Sequence, residues 1–224
     1  PGNKEYNSKD TIMSYNRSEN GWDTWYSTND LNALIKIWGR EDDDGNIRYQ
    51  KNFSSYKFRK EENKYSIKTE IGYENISDID TLIFQDKYIN LKDDIIGVFN
   101  LINGKDDITG KIYRLYNAAF ARFPDISGLE YWLNKNISGE DSYRSTAKSF
   151  IYSQEFQSLY GDNVTNEKYI NRLYENILNR SPDHKGFNYW LNQINNGLED
   201  KSELLMGFSE SFENKSLFTN ELGM

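Results

Sequence analysis

The stretch Phe123-Pro-Asp-Ile-Ser-Gly-Leu-Glu-Tyr-Trp-Leu-Asn-Lys135 governs the reading of the chain, because it returns 58 residues later as Ser181-Pro-Asp-His-Lys-Gly-Phe-Asn-Tyr-Trp-Leu-Asn-Gln193. At the same offset Leu115-Tyr116 falls on Leu173-Tyr174, Arg122 on Arg180, Phe150 on Phe208, Ser153 on Ser211 and Glu155 on Glu213. The correspondence needs no gap over about a hundred residues, which marks an internal duplication. Each unit reads as a helix, a Pro-Asp-x-x-Gly turn, a helix ending in Tyr-Trp-Leu, a loop and another helix. Proline stops the first helix and fixes the turn. Asp125 and Asp183 stand where an N-cap carboxylate would take up free backbone N–H groups. Gly128 and Gly186 permit either a left-handed backbone or a close approach of helices.

The duplicated unit, and FPDISGLEYWLNK in particular, resembles the family called domain of unknown function 4214, over roughly residues 110–218. That family is common at the C-terminus of secreted and surface bacterial proteins and has no established activity. The resemblance therefore implies a helical fold, a secreted or extracellular setting, and an extracellular or cell-surface partner for the repeats. Residues 106–220 are expected to fold on their own.

Upstream of the repeats the period of the pattern changes. Ile95, Ile96, Phe99 and Ile102 give one apolar side to a short helix over 93–103, followed by a break at Gly104–Gly110. Between Asn52 and Leu91 the period is two. Phe53, Tyr56 and Phe58 precede a turn at Lys60–Asn63; Tyr65, Ile67, Thr69 and Ile71 then alternate with polar residues up to Gly72. Thr81–Phe84 and Tyr88–Leu91 follow as further strand signals, which predicts a small antiparallel sheet. Glu41-Asp-Asp-Asp-Gly-Asn46 invites a calcium reading but fails on spacing. With Gly45 at loop position 6, Arg40 and Lys51 would occupy positions that need carboxylates, so the run reads as a solvated linker.

Nearer the start, Asp10-Thr-Ile-Met-Ser-Tyr-Asn16 is too short for a helix and too irregular for a strand, and turn-formers follow it at once. Ser27 and Asp30 then open a helix whose Leu31, Leu34, Ile35 and Trp38 share one face, with Gly39 at its end. Together TIMSYN, a Trp-rich gap and STNDLNALIKIWG resemble the Met-turn and closing helix of the metzincin zinc endopeptidases, in the serralysin-like branch, over residues 10–39. The resemblance implies that Met13 forms the floor of a zinc site and that Tyr15 approaches the metal and the substrate oxyanion in an intact protease. Its substrate would be a protein or peptide. The family's HExxHxxGxxH helix is not in the sequence, which has one histidine, His184, and no cysteine. A catalytic zinc needs three protein ligands. The expectation is thus the C-terminal portion of a secreted zinc metalloendopeptidase, cut upstream of the Met-turn. No metal is expected on this chain, and it should be inactive alone. The alternative is a non-catalytic extracellular interaction, secretion or anchoring module.

Composition sets the remaining bounds. Net charge is −8 over 224 residues, which speaks against a nucleic-acid or anionic-membrane partner. No apolar run approaches the ~20 residues that span a bilayer. Without cysteine there is neither a disulfide nor thiol chemistry. His184, opposite Ile126 in the other repeat, reads as an exposed helix-start residue. The Tyr131-Trp132 and Tyr189-Trp190 pairs read as core rather than as a sugar platform. The expected fold class is α+β. It comprises a metzincin remnant over 1–40, an acidic linker over 41–51, a small antiparallel β region over 52–92, and a helical domain of two 58-residue repeats over 93–224.

Overall fold

A computed structural model describes residues 47–223. The Met-turn, the helix expected over 27–38 and most of the acidic linker lie outside the described residues. Within them the fold is α+β. Six short strands come first: β1 (Ile47–Arg48), β2 (Phe58–Glu61), β3 (Lys64–Thr69), β4 (Gly72–Asn75), β5 (Thr81–Ile83) and β6 (Tyr88–Asn90). A π-helical segment, Leu91–Ile96, runs on into α1 (Gly97–Asn100). Eight helices follow: α2 (Ile108–Phe120), α3 (Ile126–Ile137), α4 (Tyr143–Ile151), α5 (Gln154–Tyr160), α6 (Asn166–Leu178), α7 (His184–Asn195), α8 (Lys201–Ser209) and α9 (Phe212–Leu222).

The strands form two sheets rather than one. In the order β2-β3-β4 all neighbours are antiparallel. In the order β1-β5-β6, β5 pairs antiparallel with β6 but parallel with β1. The parallel pair arises because the chain leaves β1, builds the whole first sheet as a crossover, and returns beside its starting strand. Ile47 and Arg48, inside the stretch expected as linker, therefore belong to a sheet. The alternation of Tyr65, Ile67 and Thr69 places Ile67 and Thr69 in the interior, as read. Ile71, counted with them, sits exposed in the turn, and the chain continues after Gly72 as β4. The helix expected over 93–103 is present as the π-helical segment plus α1, with Ile95, Phe99 and Ile102 buried.

The helices α2, α3 and α4 begin and end 58 residues before α6, α7 and α8. Both Pro-Asp turns follow a helix closed in the left-handed conformation, by Ala121 at φ 53° and by Asn179 at φ 53°. Asparagine tolerates that geometry better than alanine, whose Cβ crowds the following carbonyl without a polar side chain to compensate. The glycine of each Pro-Asp-x-x-Gly turn serves close approach rather than a left-handed backbone. A Cβ on Gly186 would lie 2.2 Å from the Tyr174 hydroxyl, and one on Gly128 would lie 3.0 Å from that of Tyr116. The two sets part at their last helices. Gly161, at φ 98°, ends α5, whereas the corresponding position in α9 is Thr219 and the helix runs on to Leu222.

That extension decides the packing. Phe218 and Leu222 of α9 do not join the interior of the neighbouring helices. They enter a first core with Phe53, Phe58, Ile67 and Leu82 from the β region, with Ile95 and Phe99 from the π-helical segment and α1, and with Tyr113, Phe123, Leu129 and Leu133 from α2, α3 and the turn between them. A second core lies wholly among the helices, around Leu115, Phe150, Tyr169, Leu173, Leu205 and Phe208. The β region and the helices thus share one interior across residue 92. Burial of apolar area contributes about 25 cal/mol per Å², so separating the two parts forfeits a large favourable term. Two outcomes follow. Residues 106–220 alone should melt at least ~10 °C below the full chain and bind a hydrophobic dye, as thermal scans with dye fluorescence would record. Ala121→Gly should raise stability by about 1 kcal/mol in urea titrations, because it relieves the left-handed strain.

Candidate functional site

Met13 and Tyr15, the site residues implied by the metzincin resemblance, lie outside the described residues. His184 opens α7 and is exposed, with Nδ1 3.0 Å from the Asn188 amide nitrogen. Among the described residues no three His, Cys, Asp or Glu side chains cluster in a way that could hold a metal ion. No described helix is long and apolar enough to cross a membrane.

The residues matched at the offset of 58 meet one another around two arginines. Arg122 donates from Nε and Nη2 to the two carboxylate oxygens of Glu155, at 2.5 and 3.1 Å, and from Nη1 to the Phe123 carbonyl at 3.1 Å. Arg180 repeats this with Glu213, at 2.8 Å for both bonds, and with the Ser181 carbonyl at 3.2 Å. Each guanidinium also lies over a tyrosine ring, Tyr116 at 5.3 Å and Tyr174 at 4.9 Å. A planar fork that binds a carboxylate in two places and stacks on an aromatic face suits arginine and not lysine. These groups spend their hydrogen bonds on holding a turn against a helix.

The two aspartates differ. Asp183 caps α7, accepting from the Gly186 N–H at 2.9 Å. Asp125 makes no such cap, contrary to the reading from sequence. Its oxygens are taken by Lys87 at 3.1 Å and by Arg122 at 2.8 Å. Burial alone would raise its pKa, but the Arg122 and Lys87 charges outweigh that and hold it below the usual range. Lys87 has no equivalent in the second set, since it comes from the β region. The Tyr-Trp pairs also divide: Trp132 and Trp190 pack against the cores, while Tyr131 and Tyr189 are about half exposed.

The candidate site is elsewhere, in a cleft of about 280 Å³ where the outer face of the β2-β3-β4 sheet meets α2, α6 and α9. Sequence reasoning passed over it, because it followed the apolar face of the strands and not the opposite one. On that opposite face Lys57 and Arg59, two apart, lie beside Lys68 and Tyr73, which are cross-strand partners. The Arg59 guanidinium stacks on the Tyr73 ring at 4.2 Å. Helices supply amides: Asn117 from α2, Asn176 from α6, Asn179 just after it, and Asn214 and Asn220 from α9. The acidic member is Glu221, carried into the cleft by the extension of α9. It accepts from the Tyr113 hydroxyl at 2.8 Å. Burial pushes its carboxyl up to about 7, against the lowering effect of the Tyr113 hydrogen bond and the Lys57 charge.

In the cleft floor Arg114 is almost fully buried, and each of its guanidinium nitrogens is hydrogen-bonded. Nε and Nη2 bind Glu210 at 3.0 and 2.7 Å, Nη1 donates to the Lys105 carbonyl at 2.6 Å, and the group lies over Phe218 at 4.8 Å. A buried charge in which each guanidinium nitrogen is already hydrogen-bonded within the protein serves to fix geometry. The cleft is therefore built on a rigid base.

With this geometry in place, comparison with known proteins adds one finding. A family model described as Domain of unknown function (DUF4214) matches residues 147–218, from α4 into α9. No curated protein and no solved structure matches the chain.

Glu221 gives the cleft a signature in pH. Its folded pKa, about 7, lies above the ordinary 4.5, so the fold favours the protonated carboxyl. The resulting stabilisation is complete below about pH 4.5 and is lost as pH rises through 7. Its size is on the order of 2–3 kcal/mol. Thermal melts should show the parent chain losing stability between pH 5 and pH 8, while Glu221→Gln, which still accepts from Tyr113, should match it at pH 5 and exceed it at pH 8.

Proposed function

We propose that this chain is the C-terminal portion of a secreted, zinc-dependent endopeptidase of the metzincin, serralysin-like kind, in which residues 47–223 form a non-catalytic binding module. The observation that carries the module reading is the cleft. It gathers cations and amides from five separate elements, β2, β3, α2, α6 and α9, into one concave surface suited to holding and orienting a ligand. Exact correspondence of α2–α4 with α6–α8 at 58 residues supports a module made of two copies of one unit. The match of 147–218 to the domain of unknown function supports placing that module beside the secreted and surface proteins in which the family is common.

The protease reading rests on TIMSYN and STNDLNALIKIWG in residues 10–39. In the complete enzyme, upstream histidines would hold zinc and a glutamate would activate the bound water. Met13 would lie under the metal and Tyr15 would help to stabilise the tetrahedral intermediate. None of these steps is assigned to residues 47–223, whose part would be to hold the protease at a surface or to present its substrate.

The test is direct. The coding sequence upstream of Pro1 should specify HExxHxxGxxH within a few tens of residues of Asp10. Protein carrying that helix should cleave casein and lose the activity to a chelator, whereas the 224-residue chain should take up no stoichiometric zinc in equilibrium dialysis. An upstream frame that lacks the histidines removes the protease and leaves a free-standing extracellular module. Submicromolar zinc on the 224-residue chain would show that the ligand inventory is wrong.

A further inference from the structure

We propose that the cleft between the β2-β3-β4 sheet and α2, α6 and α9 binds an acidic oligosaccharide, with Lys57 and Lys68 taking its carboxylate and the surrounding asparagines its hydroxyls. This deepens the binding-module reading of residues 47–223 and is independent of the protease reading of residues 10–39.

The first argument is electrostatic. Phe58 pairs with Ile67, and the Lys68 N–H donates to the Lys57 carbonyl at 2.8 Å, so Lys57, just before β2, stands opposite Lys68 of β3. Like charges directly opposite destabilise a sheet. Neither lysine forms a salt bridge among the described residues. Lys57 has only the Asn179 amide oxygen, at 3.4 Å, and Lys68 has no side-chain partner among the described residues. Their neighbour Arg59 has a buried Nε without a hydrogen-bond partner, although its Nη1 pairs with Glu61 at 3.2 Å. In a chain of net charge −8, two facing lysines that form no salt bridge among the described residues match an anion. The single acid inside, Glu221, is held by its raised pKa in a form that opposes an anion less than an ordinary carboxylate would.

The second argument concerns what kind of anion fits. Three walls are helices, which present side chains and no extended backbone, and the fourth is the face of a sheet and not its edge. No backbone ladder is offered to a peptide strand. What is offered is side-chain amide, and an amide both donates and accepts, as a sugar hydroxyl does. Asn117 is half-buried in the cleft with no side-chain partner among the described residues. Tyr73, 42 % exposed and stacked by Arg59, supplies an aromatic surface at the rim. A volume of about 280 Å³ stands at the small end of ligand sites, typically ~300–1,000 Å³. It suits one charged sugar ring with its neighbours running out over the rim.

The experiment is calorimetric titration of the full chain at pH 7 and about 0.15 M salt, where exposed charges are screened beyond ~8 Å. The probes are trigalacturonate, its methyl ester, and triglutamate. Trigalacturonate should bind with one-to-one stoichiometry, and the methyl ester and triglutamate at least tenfold more weakly. The double variant Lys57→Gln with Lys68→Gln should bind trigalacturonate at least tenfold more weakly while melting no lower than the parent, since it removes a repulsion and no packing. Failure of trigalacturonate to bind, or equal binding of the methyl ester, would overturn the proposal, as would unchanged binding by the double variant. Equal binding of triglutamate would reassign the cleft to acidic peptides. All these outcomes leave the upstream test of the protease reading untouched.

Discussion

Phe123 is the residue on which the two parts of the molecule turn. It occupies the Phe-Pro-Asp turn between α2 and α3, is 3 % exposed, and makes edge contacts with Phe58 at 4.9 Å, Phe99 at 5.3 Å, and both Phe53 and Tyr113 at 6.3 Å. These rings come from a strand, from α1, from the turn before β2 and from α2. Aromatic edge-to-face pairs contribute about 0.5–1.5 kcal/mol beyond their buried area, and here one ring makes four of them. The corresponding residue 58 positions later is Ser181, which is exposed. The exchange of Phe123 for Ser181 thus separates the turn that anchors the sheets from the one that faces solvent.

The matched residues and the unmatched ones have separate duties. Arg122, Glu155 and Gly128, with Arg180, Glu213 and Gly186, fix how each turn lies on its helices, and they do so in the same way twice. The unmatched residues attach the helices to the β region or build the cleft. Lys87 draws Asp125 away from capping, and Thr219, in place of a glycine, lets α9 continue far enough to bring Glu221 to the Tyr113 hydroxyl. The cleft therefore exists only where the second helical set differs from the first.

The sequence made the helical half legible for a physical reason. A helix announces itself through a repeating apolar face, and the offset of 58 reported the same helices twice. Gly186 could be assigned to close approach only once the Tyr174 hydroxyl was placed beside it, because spacing alone leaves two explanations for a glycine. The β region was half legible. Ile67 and Thr69 marked the inward face, yet β4 was missed, since Gly72-Tyr-Glu-Asn75 has no apolar alternation, and the pairing of Ile47 with Leu82 spans too much chain for a local pattern. The cleft was not legible at all. Its residues run from Lys57 to Glu221, and the one available hint was that Lys57, Arg59 and Lys68 share the polar face of strands whose other face is apolar.

The lengthened α9 also imposes an order of events on the chain. The interior begun by Tyr49 and Phe53 is closed by Phe218 and Leu222, so nearly the full described length separates its first residues from its last. Such closure is slow, because the entropy of a long loop is lost before the contact rewards it. During synthesis the strands emerge early and remain open until their final helix has left the ribosome. A protein arranged this way stays unsealed, and so able to thread through a narrow passage, for as long as its last turn of helix is held back.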